Sequence, residues 1–201
     1  SPAELAEDSE IIILCVGKDS DILELINSDQ GIKESIKDYS IIIDHSTTSA
    51  ELPIEINKQL KSKNITFLDA PVSGGQAGAE AGQLSVMVGG DKKSFNQIED
   101  IIKSYSKFTK YMGPSGSGQL TKMVNQICLT GLIQSLAEAI NFSEKSGLNT
   151  SDVIEVISKG AAQSWQMENR WKTMLGDFYD HGFAVDLMRK DLEIVINEAK
   201  K

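Results

Sequence analysis

Basic charge is in short supply in this 201-residue chain: 20 Lys and Arg stand against 29 Asp and Glu, a net charge of −9 and a pI near 4.8. A surface built to hold nucleic acid or an anionic membrane is thereby excluded as a general feature, although a local cation for one anionic ligand is not. Histidine is scarcer still, with only His45 and His181, so a His-rich metal centre is not expected and no metal is assigned. The two cysteines, Cys15 and Cys128, lack metal-type spacing. Both stand in apolar runs and read as reduced core thiols, which favours a reducing compartment and a cytoplasmic location. No apolar run reaches the roughly 18–20 residues of a membrane span, and no signal peptide is visible. Repeats and low-complexity tracts are absent. So are a P-loop, a G-x-G-x-x-G loop and a G-x-S-x-G elbow.

What is present is an ordinary globular composition, 40% hydrophobic and 24% charged, arranged in two successive patterns. Ser1-Pro2 opens a short helix. Ile11–Val16 is a continuous apolar run of the kind buried on both faces of a sheet, and Ile41–Ile43 and Thr66–Ala70 read as the next two strands. Leu84–Val88 and Phe108–Met112 complete the strands. Helices are expected at 19–27, 51–63 and 92–105, with Pro53 tolerated in a first turn. Alternation of this kind predicts a mostly parallel sheet with helical cover. After Gly113 the strands stop. Helices follow at 118–146, 150–160, 164–175 and 187–200, so the chain reads as residues 1–112, an α/β domain, and residues 113–201, an all-helical one.

Ligands in open α/β sheets lie beyond the carboxyl ends of the strands. Here those ends are Val16-Gly17-Lys18, Asp44-His45-Ser46-Thr47 and Ala70-Pro71-Val72-Ser73-Gly74-Gly75. Small and polar residues there suit a ligand, and equally suit turns and caps. Ser73-Gly74-Gly75 leaves backbone N–H groups and a hydroxyl suited to a carboxylate, or else serves only the turn. In Gly116–Asn125, a helix start places Lys122 and Asn125 one turn apart, flanked by Gln119 and Gln126. Leu120, Val124, Ile127, Leu132, Leu136 and Ile140 continue an apolar face that predicts burial along much of the helix. Lys122 then reads either as a desolvated amine of lowered proton affinity or as a snorkelling surface lysine.

Three separated motifs resemble the β-hydroxyacid dehydrogenases, the family of 3-hydroxyisobutyrate dehydrogenase, tartronate semialdehyde reductase and the glyoxylate/succinic semialdehyde reductases. They are the stretch from Asp69-Ala70-Pro71-Val72-Ser73-Gly74-Gly75 to Met87-Val88-Gly89-Gly90, the segment Gly116-Ser117-Gly118-Gln119-Leu120-Thr121-Lys122-Met123-Val124-Asn125, and Leu187-Met188-Arg189-Lys190-Asp191-Leu192. The resemblance covers essentially the whole chain. It implies a Rossmann-type domain lacking its first strands and G-x-G-x-x-G loop, then a helical substrate and oligomerisation domain lacking its last helices. On that view the sheet has an unprotected edge and these 201 residues alone have weak or no activity.

The resemblance also implies NAD or NADP as cofactor, a small β-hydroxy acid as substrate and a homodimer or homotetramer. It makes Lys122 the catalytic acid/base and gives the substrate carboxylate to Ser73, Gly74 and Gly75. Asn125 hydrogen-bonds the substrate, with the corresponding amide at Gln126 in some relatives. Val16, Gly17, Asp21, Thr47 and Lys190 line the cofactor, Asp191 orients Lys190, and His45 stands near the cofactor without acting as the base. Trp165 and Trp171 pack helices or a subunit interface. The substrate is most like 3-hydroxyisobutyrate, the alternatives being a semialdehyde-acid reductase or a catalytically silent relative. Lys122 disfavours the silent relative, and an imine reductase offshoot as well.

Overall fold

The computed structural model describes residues 1–180 and 182–201, leaving His181 outside the described residues. It divides into two compact units, residues 1–124 with 189–201, and residues 125–188. The first unit begins with helix α1 (Pro2–Glu7), held by the capping box its opening residues encode, in which Ser1 and Glu4 bond each other's backbone reciprocally. Strands β1 (Ile11–Leu14), β2 (Ile41–Asp44) and β3 (Thr66–Asp69) lie parallel and in register. Helices α2 (Asp19–Asn27), α3 (Ile32–Ser35) and α4 (Glu51–Leu60) connect them, α4 tightening into a 3-10 turn at Lys61–Lys63. Pro53 sits in the first turn of α4, where no N–H is missed.

Side chains of the apolar strands alternate between two cores. Ile12, Leu14, Ile42 and Phe67 face one with Ile22, Ile26 and Ile56; Ile41, Ile43, Leu68 and Ala70 face the other with Phe95, Ile98 and Ile102. Each fully buried Ile or Phe contributes on the order of 2–3 kcal/mol. The sheet order is β1-β2-β3-β5-β4, with β6 (Ser106–Gly113) on β5 (Leu84–Gly89) and β4 confined to Val72–Ser73. β5 and β6 run parallel to each other but antiparallel to β3, which β5 meets only at Asp69 and Gly89. The mostly parallel expectation therefore holds, with two antiparallel pairings, both made by β5, to β3 and to β4. β4 lies where a turn is expected, because Val72 and Ser73 find partners in Val86 and Ser85, and the short helix α5 (Gly75–Glu80) follows it. Helix α6 (Lys92–Lys103) is capped by Asp91.

Helix α7 (Ser117–Lys145) begins in the first unit. Its expected buried apolar stripe fails at four of its six positions. Leu136 and Ile140 are buried, but Leu120, Val124, Ile127 and Leu132 are exposed, while Gln119, Lys122 and Gln126 are buried. Gln119 and Lys122 win inside positions near the helix start because Ser46, Thr48 and Val72 offer them backbone partners. Cys15 and Cys128 are free but exposed, a correction to their expected place in the core; an apolar run does not fix which of its side chains faces inward.

In the second unit, α7 continues into α8 (Thr150–Ile157) and α9 (Trp165–Leu175), followed by the first residues of α10 (Val185–Glu198). Asn149 caps α8 and Ser164 caps α9. Leu136, Ile140, Ile154 and Met167 form its core, with Trp171 packed against them. Trp165 lies 57% exposed under the Arg170 guanidinium. Among the described residues, no helix is long and apolar enough to cross a membrane.

Candidate active site

The head of α7 is brought against the strand ends by main chain meeting main chain. A Cβ on Gly118 would come within 2.5 Å of both the Asp69 and Met87 carbonyl oxygens, so only glycine allows this approach. Gly116 adopts φ +92° just before it, a left-handed conformation that leads the chain into the helix. The Asp69 carboxylate closes the junction, accepting from Gly116 N–H at 2.9 Å and from Gln119 N–H at 3.0 Å. Burial pushes the Asp69 carboxyl up to about 6, against the pull of those N–H donors. An acceptor at this position also satisfies helix-terminal donors that nothing else in the helix reaches.

Lys122 is thereby held one turn into α7, 7% exposed, with Nζ donating to the Val72 carbonyl at 2.8 Å. Burial pulls its pKa below the ordinary lysine value. The Asp191 carboxylate opposes that shift and the Lys190 ammonium reinforces it. Of the two readings left open by spacing, the desolvated amine is the one observed. Ser73 follows Val72 directly on β4, and the chain then turns through Gly74 (φ +140°) and Gly75 (φ +63°), both exposed, into α5.

In the same unit, Lys190 Nζ donates to the carbonyls of Gly17 and Thr47, each at 2.8 Å, and lies 3.1 Å from Asp191 Oδ1. Two hydrogen bonds and one ion pair converge on this ammonium, tying the ends of β1 and β2 together. Val16 N–H donates to Ser46 Oγ at 2.8 Å, completing the same link. Gly17 is exposed, and the position a Cβ would take there is bounded by the Asp21 carboxylate at 3.0 Å. Open main chain at Gly17, the Thr47 loop and a cation between them suit the close approach of a dinucleotide. The residues read as its lining, Val16, Gly17, Asp21, Thr47 and Lys190, thus lie at one end of one sheet.

Asn125 and Gln126 belong to the second unit, where Asn125 Nδ2 donates to Gln126 Oε1 at 2.8 Å and the buried Gln126 amide lies 3.8 Å from the Met188 sulfur. His45 spends both ring nitrogens on structure. Nδ1 lies 2.6 Å from the Ala70 carbonyl and must carry the proton, so Nε2 accepts from Tyr105 Oη at 2.9 Å. Burial lowers its pKa, which keeps the ring neutral. Sequence reading missed the structural parts played by Asp69 and Gln119. Asp69 ends an apolar strand, and Gln119 shares a helix face with Lys122; both signals are visible but not specific.

Two family models match the chain: the NAD binding domain of 6-phosphogluconate dehydrogenase over residues 1–113, and the NAD-binding domain of NADP-dependent 3-hydroxyisobutyrate dehydrogenase over residues 116–201. An uncharacterized oxidoreductase of Shewanella frigidimarina is 51% identical over the whole chain, which spans 69% of that relative. A probable mitochondrial 3-hydroxyisobutyrate dehydrogenase-like protein of Arabidopsis thaliana is 34% identical over all of this chain and 60% of its own length. Among solved structures, Mycobacterium tuberculosis 3-hydroxyisobutyrate dehydrogenase with L-serine superposes with a TM-score of 0.88 at 25% identity, covering 100% of this chain and 70% of that one. The cofactor is NAD or NADP. The chain belongs to the β-hydroxyacid dehydrogenases, the NAD(P)-dependent oxidoreductases related to 3-hydroxyisobutyrate dehydrogenase.

Proposed function

We propose that this site interconverts a short β-hydroxy acid and its semialdehyde or oxo acid, with a substrate most like 3-hydroxyisobutyrate or L-serine. The observation that carries the reading is Lys122, a buried amine of lowered pKa held 2.8 Å from the carbonyl next to Ser73. A desolvated lysine releases its proton closer to neutrality and is therefore suited to general acid/base work. In oxidation, neutral Lys122 takes the proton of the substrate hydroxyl; in reduction, its ammonium returns that proton to the carbonyl oxygen. NAD(P), when bound, supplies the acceptor or donor for the hydride on the same carbon.

Ser73 Oγ and the main chain of Gly74 and Gly75 hold the substrate carboxylate, which fixes the hydroxyl relative to Lys122. Asn125 and Gln126 supply amides to the substrate. Val16, Gly17, Asp21 and Thr47 line the cofactor. Lys190 keeps their loops together and faces the nicotinamide side, with Asp191 orienting it. The Rossmann part is assigned to residues 1–112 and the helical substrate and oligomerisation part to 113–201. A cytoplasmic homodimer or homotetramer completes the proposal.

The test is turnover by the whole protein of L-serine, 3-hydroxyisobutyrate and semialdehyde acids with NAD and NADP, alongside Lys122→Ala. Oxidation of a β-hydroxy acid that collapses in the variant while cofactor binding persists supports the reading. Near-normal turnover by Lys122→Ala sinks the acid/base assignment. A folded, cofactor-binding wild type inert toward every substrate would favour the silent relative.

A further inference from the structure

Gln119 is fully buried, and its amide is spent on the loop after β2: Oε1 accepts from Thr48 N–H at 3.1 Å and Nε2 donates to the Ser46 carbonyl at 2.8 Å. These two bonds bracket Thr47, whose own carbonyl is held by Lys190. The backbone N–H of Gln119 is held in turn by Asp69 at the end of β3. One residue therefore joins the ends of β2 and β3, and Lys122 follows it by three positions on the same helix.

We infer that Gln119 is a positioning residue that locks the Ser46–Thr48 loop to the helix carrying Lys122, so that cofactor binding at the loop and placement of the lysine are one coupled property. The inference rests on the proposed role of Thr47 in lining the cofactor. The physical ground is that both partners are main-chain groups buried with the amide. Without Gln119, a buried N–H and a buried carbonyl lose their partners, and the loop relaxes to satisfy them elsewhere. Loop movement disturbs the cofactor side, and loss of the bracket frees the first turn of α7 from that side. Coupling of this kind is reciprocal in binding free energy.

The test uses the whole protein and Gln119→Met, which keeps length and volume but makes neither bond, with Ile98→Val in the core as a control lesion that breaks no bond of the bracket. NADH or NADPH affinity is read by fluorescence titration, alongside Tm and kcat at saturating cofactor. Gln119→Met is expected to raise Kd about tenfold, as the loss of two partly exchangeable hydrogen bonds implies, and to lower kcat as well. Ile98→Val is expected to lower Tm and leave Kd unchanged. Unchanged Kd and kcat in Gln119→Met, or an equal change in Ile98→Val, overturns the inference.

If Gln119→Met aggregates, hydrogen exchange in the wild type makes the same decision. NAD(P)H should protect the Thr48 amide together with amides in the first turns of α7, whereas protection confined to residues 46–48 refutes the coupling. A wild type that binds cofactor but oxidises no β-hydroxy acid defeats the proposed function and leaves this binding measurement decisive.

Discussion

The Lys122 ammonium and the Val72 carbonyl, 50 residues apart in sequence, meet at 2.8 Å. The bond joins the head of α7 to the two-residue strand that leads into Ser73, Gly74 and Gly75. An amine placed there lies beside the expected carboxylate anchor, and burial lowers the cost of its neutral form.

Replacing Lys122 with Ala removes that amine. Turnover is expected to fall by about a hundred- to ten-thousandfold, the usual worth of a positioned acid/base. The Kd for NAD(P)H should stay within a few-fold of wild type, measured by titration on the same preparation.

The pH dependence of hydroxy-acid oxidation follows from the charges near Lys122. The neutral amine is the active form, so kcat/KM rises with pH through a lysine pKa that lies below its ordinary value. Asp191 holds that pKa up and Lys190 pushes it down. Asp191→Asn should therefore move the rising limb to lower pH, and Lys190→Met should move it to higher pH. A kcat/KM profile for each variant checks both signs.

Asp44 makes a separate prediction about stability. Its Oδ1 accepts from Ser46 N–H at 2.9 Å, and Oδ2 is buried with no hydrogen-bond partner among the described residues. Burial pushes the carboxyl up to about 7, with Asp69 and Asp19 adding to the shift against the Ser46 donors. A folded pKa above the unfolded one means the folded state holds the proton more tightly. The stabilising contribution is complete below the unfolded value of 3.8 and is lost as pH rises through about 7. Asp44→Asn keeps the Oδ1 acceptor and removes the charge. It should raise Tm at pH 8, with a gain that shrinks toward zero as pH is lowered to near 4, followed by thermal melts across that range.

Two glycines of α7 should respond to alanine in opposite directions. At Gly118 the methyl would press on two backbone carbonyls at 2.5 Å, so Gly118→Ala should cost about 1–3 kcal/mol or more through forced overpacking. At Gly131 nothing lies within 4 Å, so Gly131→Ala should stabilise by about 0.5–1 kcal/mol by restricting the unfolded chain. Urea unfolding of the pair measures both.

Much of this was legible in the residues. The Ser1-Pro2 helix start, the isoleucine runs of β1 and β2 and the bounds of α2 follow from local rules. β4 was not legible, since two residues carry no periodicity and Val72–Ser73 is a strand only because Val86 and Ser85 pair with it. The inverted face of α7 was misread for a similar reason. Hydropathy places Leu120 and Val124 inside, but Gln119 and Lys122 find buried backbone partners at Ser46, Thr48 and Val72 that no local pattern reports. The three motifs of the site were legible as a family resemblance, whereas the work of Asp69 as the clasp of the helix head needed the fold.

The glycine contact at the head of α7 bears on how this site withstands sequence drift. Because backbone atoms of Gly118 rest on backbone atoms of Asp69 and Met87, the lysine takes its coordinates from the peptide scaffold and not from the fit of neighbouring side chains. Core residues such as Ile43, Leu68 or Val88 can therefore exchange for others of similar volume, changing how well the protein survives heat long before they change where the amine stands.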